Sequence, residues 1–295
     1  MSTMKTSDTK SKTVKYFGIL AVTSVLLAGG IAWNSQNQSS AATGAIYDTV
    51  SGVKAAKWNS SVTLSYTADV VTLKTNDIPN HERDAYYAVP NAGVVVPNAS
   101  TAKVMKDPTK AQNLSFKIPL HPQYLTTTTA SPLGSIGLMI SGSVLFNPYE
   151  GDGKTVAMSS NFLIKDSQGN KAYFVDHCSG HPTPNAGEYH YHALSACISK
   201  KVDTTTGPSH IEGLALDGFP IYGPRDAKGK VVPVANLDKC NGILSATPEF
   251  PKGIYHYVLP QTSNATSSIR CFHGKVDTSQ IQQMPPMGPM PGMPR

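Results

Sequence analysis

Apolar and polar positions divide this chain into four stretches. A polar start carrying Lys5, Lys10, Lys12 and Lys15 leads into a run from Tyr16 to Trp33 without a charge. About 18 such residues behind a basic flank read as a secretory signal or a short signal anchor, residues 1–33. Gly30 and Ala32 give the small-x-small spacing of a cleavage site after Ala32, and no cysteine ends the run, which excludes a lipoprotein anchor. Residues 34–45 are small and polar, the composition of a flexible linker. From about 46 to 278 the chain looks globular, with strand-like alternation in several segments. Val62 to Val70 and Ser115 to Ile118 read as strands, and Phe162 to Lys165 with Lys171 to Val175 as a hairpin around Asp166 to Asn170. A second hairpin is expected at Asp226 to Gly229. No useful stretch with a 3.6-residue period follows the signal, so the expected fold is mainly β.

Composition sharpens that picture. With 24 glycines and 22 prolines in 295 residues, turns and long loops are favoured over helices. The net charge of +6 is modest and is concentrated near the start. There is no dense Lys/Arg patch with interleaved aromatics, so nucleic acid is excluded as a partner. Membrane contact is expected only through an uncleaved N-terminal segment. All four cysteines and seven of the nine histidines follow residue 155, which marks about 155–278 as the functional core, in one domain or as a second one. In the tail, 279–295, Met284, Met287, Met290 and Met293 recur at intervals of three. A polyproline helix has three residues per turn, so these thioethers would line one edge of a solvated segment.

Tyr189-His190-Tyr191-His192 is the chemical focus, echoed by Tyr255-His256-Tyr257. In a strand alternate side chains share a face, so His190 and His192 point one way and Tyr189 and Tyr191 the other. Two imidazoles on one face suit a metal ion, and a site needs at least one more ligand. His210 and His256 are the first candidates; His177, His181 and His273 are further ones. Asp217 stands among apolar residues and needs a partner, either an imidazole or the backbone N–H groups of its Asp-Gly turn. Ser209, His210, Glu212 and Asp217 include the residue types of a hydrolytic set, but no Gly-x-Ser-x-Gly elbow accompanies them. No Cys-x-x-Cys spacing occurs, so disulfides are expected. The shorter loops favour Cys178–Cys197 and Cys240–Cys271, each worth about 3 kcal/mol.

These residues together resemble the YHYH-domain family of secreted and surface proteins. The resemblance runs from about Asp176 to Gly274 and includes Gly187 to His192, Cys197, Ser209 to Ile211, Leu216 to Pro224, Leu237 to Gly242, Tyr255 to Tyr257 and Cys271 to Gly274. It implies an extracytoplasmic domain whose motif histidines form one site, and no particular activity. The expectation is a metal-binding protein, copper before zinc because thioethers select Cu(I). His190 and His192 would ligate with His210 or His256, and Asp217 would orient an imidazole from behind. The alternatives are a cell-envelope hydrolase, its histidines acting as general acid/base or holding a catalytic zinc, and a structural or adhesive module that binds no metal.

Overall fold

The structure, a computed structural model, describes residues 41–281. The expected signal or anchor, residues 34–40 of the linker and the methionine tail lie outside the described residues. Backbone pairing is present from Gly44, whose N–H donates to the Tyr124 carbonyl.

The fold is mainly β, as the alternation predicts. An eight-stranded sheet forms its centre, in the order Gly180–Pro182, Tyr189–Tyr191, Val144–Phe146, Ser135–Met139, Ile211–Ala215, Pro220–Tyr222, Ile254–Val258, Gly242–Ser245. A three-stranded sheet (Thr63–Tyr66, Val70–Thr75, Leu114–Pro119) and a four-stranded sheet (Ala102–Lys106, Tyr86–Pro90, Lys171–Tyr173, Leu163–Lys165) accompany it. The expected strand from Val62 to Val70 is instead two strands with a turn, closed by Thr67 N–H donating to the Val70 carbonyl. Its alternation continues across the turn because Thr67, Ala68 and Asp69 are small or polar. Both expected hairpins form, Leu163–Lys165 with Lys171–Tyr173 and the Asp226 turn closed by the Arg225–Val231 bridge. Residue 155 marks no boundary. Strands from both sides of it pair in the central sheet, since Val144–Phe146 runs beside Tyr189–Tyr191.

The central sheet is built twice. In its first half Gly137 pairs with Leu145 and Leu138 with Val144; in its second, Gly213 pairs with Ile221 and Leu214 with Pro220. Each hairpin carries a bulge one step earlier, at Ser135/Gly137 and at Ile211/Gly213. The outer pairs repeat too: Gly180 with Tyr191 and His181 with His190, then Gly242 with Tyr257 and Ile243 with His256. The halves meet antiparallel at Leu138 and Leu214, the midpoint of a pseudo-twofold arrangement.

One device, an aspartate clamp, closes each half. Asp176 Oδ1 accepts the N–H groups of Cys178 and Gly180, and its Oδ2 accepts the Tyr189 hydroxyl at 2.8 Å. Asp238 does the same with Cys240, Gly242 and Tyr255, the last at 2.7 Å. The residue before each glycine is left-handed, Ser179 at φ 64 and Asn241 at φ 70. A Cβ on Gly180 or Gly242 would collide with the hydroxyl of Tyr189 or Tyr255, so only glycine admits the tyrosine. The disulfides Cys178–Cys197 and Cys240–Cys271 then staple each clamp to the rest of the domain.

Candidate metal centre

The Tyr189–Tyr191 strand is buried on both faces, so every polar tip on it must find a partner. On one face the Tyr189 hydroxyl is taken by Asp176, which also accepts from Tyr87 at 2.7 Å. The Tyr191 hydroxyl lies 2.6 Å from His81 Nε2 and 2.9 Å from Ser141 Oγ. Burial pushes the Asp176 pKa up, while its hydroxyl and backbone donors pull it back. The tyrosines therefore hold the frame.

The opposite face carries the imidazoles. His190 and His192 project there with ring centres 4.9 Å apart, and His181, directly across the strand pair from His190, adds a third ring. Its centre is 4.4 Å from that of His190 and 5.3 Å from that of His192. One ligand nitrogen from each can be chosen so that all three lie within 4.8 Å of one another. Three imidazoles bound to one ion at about 2.0–2.1 Å would hold their ring centres about 5 Å apart, close to what is observed.

Hydrogen bonds select the free nitrogens. His192 Nδ1 donates to the Asn147 carbonyl at 2.7 Å and His190 Nδ1 to the Glu188 carbonyl at 3.2 Å. A carbonyl only accepts, so each Nδ1 carries the proton and each Nε2 lone pair is left for another partner. His181 Nε2 is buried with no hydrogen-bond partner. Burial holds all three imidazoles neutral: His181 and His190 are driven well below the usual 6.5, and His192 falls to about 4. Neutral imidazole is the form that ligates.

The rings form the floor of a cavity of about 740 Å³ whose other lining residues are largely apolar. Phe146 stacks on His190 at 4.0 Å, and Phe174 packs on His181 at 4.4 Å. Glu150 also lines the cavity, its Oε1 unpartnered and its carboxyl pushed up to about 8 by burial.

A scan of protein families matches the YHYH protein model over residues 115–232 and 229–274. The chain belongs to the YHYH family. The match begins well before Asp176 and takes in the hairpin Ser135–Phe146, which the sequence-based resemblance did not reach. A search of curated proteins and a search of solved structures each returned no match.

Within this YHYH fold the other candidate residues lie apart from the three-histidine cluster. His256 occupies in the second half the position of His190, even to the bond from Nδ1 to the carbonyl two residues back. Its neighbours there are Ile243 and Val258, where the first half has His181 and His192. His210 bonds Glu249 at 2.8 Å, and His177 bonds Asp84 at 2.7 Å. His273 stacks on Tyr124 and sits 3.3 Å from Asp238. Asp217 orients none of the three clustered imidazoles; it accepts from the Tyr257 hydroxyl and from the N–H groups of Phe219 and Gly274. Ser209 and Glu212 do not join His210 in a hydrolytic set: Ser209 Oγ accepts from Arg225 N–H and Glu212 Oε1 from Ser199. Two further groupings of potential ligands each include disulfide cysteines, whose sulfurs are already bonded. Among the described groups, the histidine cluster alone has all its donors free.

Proposed function

We propose that this protein is an extracytoplasmic metal-binding protein whose centre is His181, His190 and His192, with copper as its ion. The observation that carries this reading is the convergence of three neutral imidazoles on one point, one of them with a buried, unpartnered nitrogen. Such a nitrogen costs about 1–3 kcal/mol unless something fills the position. Copper is favoured because the three donors bring no negative charge, so a monovalent ion is the least costly to hold against an apolar cavity. The methionine spacing at 284, 287, 290 and 293 supports the same ion, since thioethers select Cu(I), and suits a tail that captures or relays it. Export is supported by the N-terminal apolar run and by the two disulfides.

A second reading, a zinc-dependent hydrolase, draws on one observation. The cavity faces the imidazoles, which leaves a coordination position for water. Elemental analysis of the exported protein, purified without chelator or His-tag, separates the two beside His181→Ala and His190→Ala/His192→Ala. Copper near one equivalent, lost in both variants, is the expected result. Zinc in its place would favour hydrolysis. A wild type that takes up neither ion on incubation would refute the metal centre.

A further inference from the structure

The cavity above the three histidines has walls that limit what it can hold. Val95, Pro97, Leu133, Phe146, Phe174 and Pro184 supply them, and no lysine or arginine is among the described lining residues. Its volume of about 740 Å³ suits one small molecule, within the range of about 300–1,000 Å³ typical of such sites. Without a bound ion, an anionic ligand would leave water for a site in which no described lysine or arginine receives it. A carbohydrate would bury many hydroxyls against few partners, because beyond the imidazoles the described polar lining is Tyr149, Glu150, Thr183 and Asn185. Phe146 and Phe174 already pack on His190 and His181, so a planar ring would lie against Val95, Pro97, Leu133 and Pro184 beside them.

Glu150 adds a specific contact. It is 7% exposed, and its Oε1 is buried without a partner beside this cavity. Burial keeps the carboxyl protonated to about pH 8, so it serves as a donor to an uncharged acceptor.

We propose that this cavity binds an uncharged aromatic hydroxy compound, its ring between the apolar walls and its oxygen toward the histidine floor. The proposal deepens the metal-centre reading by naming a ligand class for the same site. The ring's fit needs no ion, so either reading can fail without the other.

The test uses a matched pair of probes, 2-naphthol and naphthalene-2-carboxylate, which share a ring system and differ in charge. Binding to the full exported chain is measured by calorimetry at neutral pH, as purified and after dialysis against a chelator, with metal content recorded separately. The expected result after chelator dialysis is binding of 2-naphthol with at least about tenfold preference over the carboxylate. Val95 is 38% exposed at the cavity. Val95→Trp should therefore weaken 2-naphthol about tenfold while leaving the melting temperature unchanged, so that the loss reports occlusion and not unfolding. Equal or tighter binding of the carboxylate after chelator dialysis would overturn the proposal. So would failure of the folded wild type to bind 2-naphthol, or indifference of its binding to Val95→Trp. Metal content alone decides the metal centre, so a metal-free protein that still prefers 2-naphthol would keep this proposal and remove only the other.

Discussion

Tyr189→Phe and Tyr255→Phe form a matched pair of perturbations. Each removes one hydroxyl from a buried ring and leaves the rest of the side chain in place. Tyr189 is 0% exposed and donates to Asp176 Oδ2; Tyr255 is 2% exposed and donates to Asp238 Oδ2. A buried hydrogen bond to a carboxylate contributes about 1.5–3 kcal/mol, and the aspartate that loses its donor stays buried or half-buried. The expected cost is thus about 2 kcal/mol for either variant, or about 4–8 °C in a domain of this size. Calorimetry or urea unfolding reads it directly. The double variant should lose the sum within about 0.5 kcal/mol, because the two clamps share no partner. Metal content should separate them. Asp176 ties the His190 strand to the turn that precedes His181, so Tyr189→Phe should loosen the histidine cluster and weaken metal retention. Tyr255→Phe should leave retention unchanged. Stability within 0.5 kcal/mol of wild type for either variant, or equal loss of metal from both, would refute the reasoning.

Further expectations follow from the same geometry. Replacing Ile243 and Val258 by histidine (Ile243→His/Val258→His) should raise the metal content from one to two ions per chain, as read by elemental analysis. Cys178→Ser/Cys197→Ser should cost about 3 kcal/mol by loop closure and also release metal, whereas Cys240→Ser/Cys271→Ser should cost a similar amount and spare it. Glu212 is fully buried, its Oε2 is unpartnered, and burial raises its carboxyl from 4.5 to about 8. Its favourable contribution is complete below pH 4.5 and is lost as pH rises toward 8, at about 1.4 kcal/mol per unit. Glu212→Gln should therefore gain stability relative to wild type between pH 5 and pH 8 in thermal melts; parallel curves would count against a buried carboxyl.

Period-two alternation and the Gly/Pro content were enough to read the fold class, because strands buried on one face must alternate. They said little about the central sheet, whose strands are buried on both faces and so carry no contrast between inside and outside. The pairing of His190 with His192 was legible for the same geometric reason, since alternate strand residues share a face. The third histidine was not legible from spacing alone. His181 reaches the cluster through a strand pairing that depends on the Asp176 clamp. The signal for it lay in the repeat Asp-x-Cys-x-Gly at Asp176 to Gly180 and at Asp238 to Gly242. Matching those two segments sets His181 against Ile243, and it shows Tyr255-His256-Tyr257 to be the counterpart of the first motif. The echo was read as another contributor to the same site, whereas it belongs to the other half of the sheet. Glu150 and Phe146 gave no sequence cue, because what distinguishes them is the cavity wall they share.

The twofold construction of the central sheet gives this chain an internal reference. Residues common to both halves, the aspartate, the cysteine, the glycine and the paired tyrosines, build the clamp in each half. Residues that differ, His181 against Ile243 and His192 against Val258, are the ones the shape leaves free. One molecule thus presents the same scaffold with and without the three-histidine cluster, under identical solvent and temperature. A substitution made at matched positions in the two halves separates what builds the domain from what the histidine cluster adds to it.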